Sequence, residues 1–181
     1  MTFRKPSEDP RAAARALSDL ADALERAGVT AWLTDGTLLG AVRDGGFIPH
    51  DLDMDLAAMS TQYGPDVEGA IAAAGFETRK VHGTPGHGLQ HKLARDGFRV
   101  DIFWHYDTPD GGVKHSAYDR AGEIEYLYPQ LVLARYRAFG REFWAPTPPK
   151  LHLVTKYGPD WRTPQTEWDW ADGPANARRS A

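Results

Sequence analysis

The chain has no cysteine in its 181 residues. That single absence excludes a disulfide framework, a thiolate zinc site and a cysteine nucleophile. Lacking cysteine, the sequence fits a reducing, cytoplasmic setting. Long apolar runs are missing as well. No stretch approaches the ~20 residues needed to span a membrane, and Met1-Thr2-Phe3-Arg4-Lys5-Pro6 does not open a secretory leader. Positive charge is not in excess. The formal net charge is −4, which gives no reason to expect nucleic acid as a partner. Internal repeats and linker-like stretches are absent, so one domain over residues 1–165, followed by a polar and irregular tail over 166–181, is expected.

Three aspartates stand out. In Pro49-His50-Asp51-Leu52-Asp53-Met54-Asp55-Leu56 they alternate. Alternate residues of a strand share a face. A strand over 51–57 therefore predicts Asp51, Asp53 and Asp55 on one side, with Leu52, Met54 and Leu56 packed on the other. Like charges this close repel unless a cation sits among them. Oxygen-only donors suit hard ions, Mg²⁺ above all.

The surrounding pattern is a helix over 9–27, capped by Asp9 with Pro10 in its first turn. A strand over 29–33 follows, then a sharp turn at Asp35-Gly36-Thr37, a short helix over 38–43, the aspartate strand, and a helix over 67–74 closed by Gly75. Beyond it lie strands and turns. Gly83, Gly86 and Gly88 read as a loose connection. Asp96-Gly97 reads as a two-residue hairpin turn between strands 89–95 and 98–106. Two or three short strands are expected before Pro146, and a last helix over 151–157.

Hairpin arithmetic supplies a companion to the aspartates. With Arg95 paired to Phe98, Leu93 faces Val100 and Lys92 faces Asp101. Asp101 sits between Val100 and Ile102, so its carboxylate needs a partner: Lys92, or a metal held by the aspartate row. Upstream, Gly36 lets backbone approach a ligand closely. Thr37 is placed to cap the short helix, whose free N–H groups attract phosphate, and Arg43 lies six residues on. A glycine turn followed by a carboxylate row is the pattern of a metal-dependent transfer of a phosphoryl-type group.

The run Trp32-Leu33-Thr34-Asp35-Gly36-Thr37-Leu38-Leu39-Gly40-Ala41-Val42-Arg43, continued by Gly46-Phe47-Ile48-Pro49-His50-Asp51-Leu52-Asp53-Met54-Asp55, resembles the signature of the LicD family. Val100-Asp101-Ile102-Phe103 resembles its second motif, and Tyr157-Gly158-Pro159-Asp160-Trp161 with Pro164 its C-terminal ending. That family includes bacterial phosphocholine transferases, fukutin and fukutin-related protein.

The resemblance implies an α+β, compact nucleotidyltransferase fold like that of DNA polymerase beta: a small mixed sheet with helices packed on one side. It implies Mg²⁺, as one or two ions with Mn²⁺ able to substitute, and a CDP-linked donor of a phospho-alcohol such as phosphocholine or an alditol phosphate. The acceptor would be a hydroxyl of a sugar or small metabolite. Asp53, Asp55 and Asp101 become the catalytic carboxylates, with Asp51 a further metal ligand. Gly36, Thr37, Arg43 and Lys92 become donor-binding residues. His50 and Leu52 depart from the family's tryptophan and aspartate at those positions. A true nucleotidyltransferase, adding NMP to a small molecule or protein, and a non-catalytic nucleotide-binding descendant are the competing expectations.

His82, His87 and His91 fit no zinc spacing and read as part of a mobile loop beside the site. Tyr157 and Trp161 read as packing residues. Trp168 and Trp170 are expected to dock the tail, with a lid over the substrate as the bolder possibility.

Overall fold

A computed structural model describes residues 3–165 and 167–179. Helix α1 (Pro10–Arg26) begins as its sequence dictates. The Asp9 carboxylate accepts the Ala12 N–H, and Pro10 occupies the first turn, where no N–H is needed. Its apolar stripe puts Leu17, Leu20 and Leu24 at 0% exposure. Each such leucine contributes about 1.5–3 kcal/mol of transfer free energy.

Among the described residues the fold has four α-helices on a mixed sheet of ten strands. After α1 come β1 (Trp32–Leu33), α2 (Asp35–Arg43), β2 (Met54–Met59), α3 (Asp66–Ala73), β3 (Glu77–Thr84), β4 (His87–Arg95) and β5 (Phe98–Asp107). Then follow β6 (Val113–Tyr118), β7 (Glu123–Tyr128), β8 (Leu133–Ala138), β9 (Arg141–Pro146), α4 (Pro149–Tyr157) and β10 (Ala177–Arg179). The sheet runs β10-β7-β6-β5-β2-β1-β9-β8, and the β3–β4 hairpin joins it at β5. Two pairings are parallel, β2 with β5 and β1 with β9.

β5 is the hub. It pairs with β2 on one edge and β4 on the other, then continues to β6. Its interior matches that position: Phe98, Val100, Ile102 and Trp104 are all at 0% exposure. The β4–β5 register is the one the hairpin arithmetic gives. Arg95 opposes Phe98, Leu93 opposes Val100 and Lys92 opposes Asp101. The turn residues Asp96 and Gly97 both have positive φ, 52° and 83°, as a tight hairpin with right-handed twist requires.

Several expectations from the sequence are corrected. β2 starts at Met54, not at 51, so Asp51 and Asp53 belong to the incoming loop. Leu52 is 50% exposed and is not packed on an apolar face. Its carbonyl instead accepts from the Arg99 guanidinium. Helix α2 starts at Asp35, and its N-cap is Thr34. The segment expected to be a loose connection is the turn of an ordered hairpin, with strands reaching Thr84 and resuming at His87. Four strands, not two or three, lie between Gly112 and Pro149, which makes the sheet larger than expected.

The tail is not wholly irregular. β10 pairs with β7, placing Arg178 against Glu125. Arg179 bonds Asp119 and Asp172, and the Tyr126 hydroxyl donates to the Trp170 carbonyl at 2.6 Å. Among the described residues no helix is long and apolar enough to cross a membrane.

Candidate active site

The site forms where β2 and β5 run side by side. Their parallel register sets Asp55 directly against Asp101. Met54, Leu56, Val100 and Ile102, which flank them in sequence, are completely buried and anchor both strands. The two carboxylates are thus presented by packed sheet, the most precise support a fold offers.

The start of α2 is stitched to β2 at Asp55. The Thr34 N–H donates to the Asp55 carbonyl. The Asp55 N–H donates to the Thr37 hydroxyl at 2.7 Å, and the Thr37 N–H reaches Asp55 Oδ2 at 3.3 Å. Thr37 therefore does not cap the helix. It occupies the third helical position and fixes the Asp55 backbone and side chain together. Gly36 has a related reason. A Cβ there would lie 2.3 Å from Asp51 Oδ2 and 3.3 Å from Asp55 Oδ2. Only glycine lets these carboxylates close over the helix start.

The electrostatics are those of crowded anions. Burial pushes the Asp55 carboxyl well above its ordinary value, and the charges of Asp53, Asp35, Asp51 and Asp101 push it further. Burial, then Asp53, pushes Asp51 up to about 7. Asp101 is raised by burial to about 6, although the Lys92 ammonium at 2.6 Å and the Gln90 amide at 2.9 Å both favour its charged form. Burial, with repulsion among the carboxylates, outweighs the compensating groups and holds the protons to higher pH than on a free aspartate.

The donor set of Asp51, Asp53 and Asp55 fits a hard divalent cation: it is all oxygen, mutually repelling and partly buried. Asp101 can join once its carboxylate turns from Lys92. Among the described residues, His87, Glu123 and Glu125 are the set of three with donor atoms within 4.8 Å of one another. That tighter set is already satisfied, since Glu125 is bonded to Lys114 and Glu123 to Ser116. Among the described residues no three aspartates meet that distance together, although the Asp51 and Asp53 carboxyl groups share a hydrogen bond.

The carboxylates open into a cavity of about 510 Å³. Gly36, Arg43, Arg99, Tyr157, Trp161, Trp168 and Trp170 are among its lining residues. Arg43 sits at the end of α2 with its guanidinium on both oxygens of Asp44, each at 2.8 Å. Tyr157 and Trp161, expected to be packing residues, also line the cavity, and Trp168 lies 5.3 Å from the Tyr157 ring. His50 is exposed at the rim.

The three histidines do not converge. His82 stacks on Tyr118 and His87 bonds Glu123. His91 is buried between Glu68 and the Trp104 indole N–H.

Sequence reasoning missed one pair. Asp35 and Lys156 meet at 2.6 Å, both nearly buried, at the cavity wall. Burial would raise the Asp35 carboxyl, but the Lys156 ammonium overrides it and holds the group well below the usual carboxylate range. The sequence signal available was the last helix, which carries Lys156 just before Tyr157-Gly158.

Known proteins resemble this chain over most of its length. The family described as LicD/FKTN/FKRP, nucleotidyltransferase domain, matches residues 28–148. Ribitol-5-phosphate transferase FKTN of Mus musculus is 29% identical over 181 residues, covering 98% of this chain and 38% of that protein. Ribitol 5-phosphate transferase FKRP of Homo sapiens is 33% identical over 150 residues, covering 75% of this chain and 29% of that protein. The chain thus spans well under half the length of these curated relatives. Among solved structures, the lincomycin-bound lincosamide antibiotic adenylyltransferase LnuA superposes with a TM-score of 0.50 at 19% identity, over 74% of this chain and 79% of that one. At that identity the likeness speaks for the fold, a nucleotidyltransferase fold. With two thirds of its length matched by one family model, the chain belongs to the LicD/FKTN/FKRP family of transferases.

Proposed function

We propose that this chain is an Mg²⁺-dependent phosphotransferase that moves an alditol phosphate, or a related phospho-alcohol, from a CDP-linked donor to a hydroxyl of a sugar or small metabolite. The observation that carries the reading is the side-by-side placement of Asp55 and Asp101 on β2 and β5, with Asp51 and Asp53 in the loop just before β2. The ribitol-phosphate transfer named for its relatives supports the alditol. The compact, polymerase-beta-like arrangement with helices on one side of the sheet belongs to the same reading.

Asp51, Asp53 and Asp55 would hold the metal, and Mn²⁺ would substitute. A bound divalent ion neutralises phosphate oxygens as charge develops. The chain's own residues do the rest. Asp101, raised to about 6, accepts the proton of the acceptor hydroxyl near neutral pH. The acceptor oxygen forms a bond to the transferred phosphorus, the bond from that phosphorus to the bridging oxygen breaks, and CMP departs with that oxygen. Gly36 and Thr37 form the close-approach surface beneath the carboxylates. Arg43 and Lys92, both on the cavity wall, supply positive charge to the donor phosphates. A cytoplasmic setting and the absence of nucleic-acid partners are parts of this reading.

A screen of CDP-ribitol, CDP-glycerol and CDP-choline with Mg²⁺ tests it. Release of CMP by the wild type, lost in Asp53→Ala, is the expected result. Release of pyrophosphate from a nucleoside triphosphate would assign nucleotidyl transfer instead.

A further inference from the structure

The Asp35–Lys156 pair has no part in the mechanism as described. Asp35 is an unusual residue. It opens α2 with φ of +45°, in the left-handed region that side chains other than glycine seldom adopt. Strain of this kind persists where the surroundings impose it, and it gathers at functional sites. The Asp35 carboxylate is well held, within 3.4 Å of both the Thr34 and Tyr128 hydroxyls and 2.6 Å from Lys156 Nζ. The side chains of Asp35 and Lys156 are only 9% and 6% exposed.

A buried ion pair is a poor way to stabilise a fold. Desolvating two charges cancels most of their attraction, and an apolar pair of similar volume does as well or better. What the pair does achieve is to fix an ammonium at the wall of the cavity. Among the described residues, Asp35 is the acceptor that Lys156 Nζ reaches. The Tyr126 ring lies beneath it, 4.5 Å from ammonium to centroid. An ammonium has three N–H donors, so the pair leaves donors for a ligand.

The other cations of this wall are paired as well, and Lys92 is 37% exposed where Lys156 is 6%. Arg43 is clamped by Asp44, Lys92 is on Asp101, and Arg99 holds the Leu52 carbonyl. Five aspartates (Asp35, Asp51, Asp53, Asp55 and Asp101) line the same cavity against those three and Lys156. Once a divalent cation balances the aspartates beside β2, Lys156 is an enclosed positive charge facing the space where a phosphate would lie.

We propose that Lys156 binds a phosphate oxygen of the nucleotide-linked donor and that Asp35 is the residue that positions it. This rests on the reading of the cavity as a nucleotide-diphosphate site and adds the residue that reads the diphosphate. Lysine suits the task as a compact point charge with rotatable donors. Asp35 keeps it desolvated and aimed before the ligand arrives.

The test uses CDP as probe, titrated by calorimetry in Mg²⁺ into the wild type, Lys156→Gln, Lys156→Arg and the double variant Asp35→Asn/Lys156→Gln. Glutamine keeps a donor for Asp35 and removes the charge. The double variant leaves no buried charge unpaired, so it stays folded if a single variant does not. CDP affinity is expected to fall at least 10-fold in Lys156→Gln and in the double variant, and to stay within a few-fold in Lys156→Arg. A folded double variant that binds CDP as tightly as the wild type overturns the assignment and leaves the nucleotide reading standing. A wild type that binds no CDP at any Mg²⁺ concentration overturns both.

Discussion

Asp55 and Asp101 lie opposite one another on neighbouring parallel strands, although 45 residues of helix, hairpin and loop separate them in the chain. Neither has a choice of place. The completely buried residues on either side, Met54 and Leu56, Val100 and Ile102, fix the register. A one-residue slip would turn all four into the cavity. The crowding of carboxylates is therefore imposed by core packing, and it carries an energetic cost.

The first prediction concerns stability against function. The Asp55 carboxyl is raised well above its ordinary value by burial and by four neighbouring aspartates. A raised carboxyl binds protons more tightly folded than unfolded. Its charge therefore destabilises the fold as pH rises above the unfolded value of ~4. Asp55→Asn is expected to melt several degrees higher than the wild type at pH 8 without metal, a gain of about 1–2 kcal/mol. It should lose activity by a factor on the order of 10² or more. Mg²⁺ should raise the melting temperature of the wild type and not that of the variant. Differential scanning calorimetry with and without Mg²⁺ checks both.

Metal affinity should itself depend on pH. Asp51 is raised to about 7 and Asp101 to about 6. Asp51 must lose its proton to accept a cation, and Asp101 must lose its own to take one from the acceptor hydroxyl. Apparent Mg²⁺ affinity is expected to climb between pH 6 and pH 8 and to level off above. Calorimetric titrations in buffers of different ionisation enthalpy should show proton release at pH 6.5. Affinity that is flat over this window would contradict the assignment of Asp51.

Gly36→Ala isolates the close approach at the start of α2. The added methyl would sit 2.3 Å from Asp51 Oδ2. Because the contact is with a loop side chain, the fold should survive with a loss of about 1 kcal/mol. Mg²⁺ binding and turnover should each fall at least 10-fold. Unchanged Mg²⁺ binding would mean that Asp51 is not a ligand.

A buried histidine cluster predicts behaviour in acid. His105 is held down to about 4 and His152 to about 3, in both cases chiefly by burial, and His115 is lowered too. His105 and His115 lie 4.6 Å apart, and both nitrogens of His115 lack a partner among the described residues. A depressed histidine is neutral when folded. Its contribution is complete above the unfolded value of ~6.5 and is lost as pH falls toward the folded one. For His105 the loss is on the order of 3 kcal/mol by about pH 4. His115→Phe keeps the stacking with Tyr126 and removes a titrating group. Its melting temperature should fall less between pH 6.5 and pH 4.5 than that of the wild type.

Much of the site is legible in the sequence because its determinants are local. The Asp96-Gly97 turn and the Lys92–Asp101 pairing follow from turn chemistry and counting; of the aspartate run, the strand period holds only for Asp55. The rest depends on contacts between distant segments. Asp35 and Lys156 meet only when α2 packs against α4, and the motifs beside them, Gly36-Thr37 and Tyr157-Gly158, do not announce the pairing. Thr37 looks like a helix cap until Asp55 is brought to it by β2. β2 begins three residues late because the turn after Pro49 is still closing at Asp51, whose N–H bonds the Ile48 carbonyl. β10 is three residues of Ala-Arg-Arg, too short and polar to carry a strand signal; pairing with β7 makes it one.

In the proposed function the β2–β5 carboxylates drive phospho-alcohol transfer from a CDP-linked donor. The most direct measurement is Mg²⁺-dependent release of CMP from CDP-ribitol in the presence of a sugar acceptor, followed by chromatography for the wild type and Asp55→Asn. Stoichiometric CMP and phosphoribitol-acceptor are expected from the wild type, on the order of 10²-fold less or lower from the variant, and none from either with EDTA. Equal turnover by the two proteins would contradict this function.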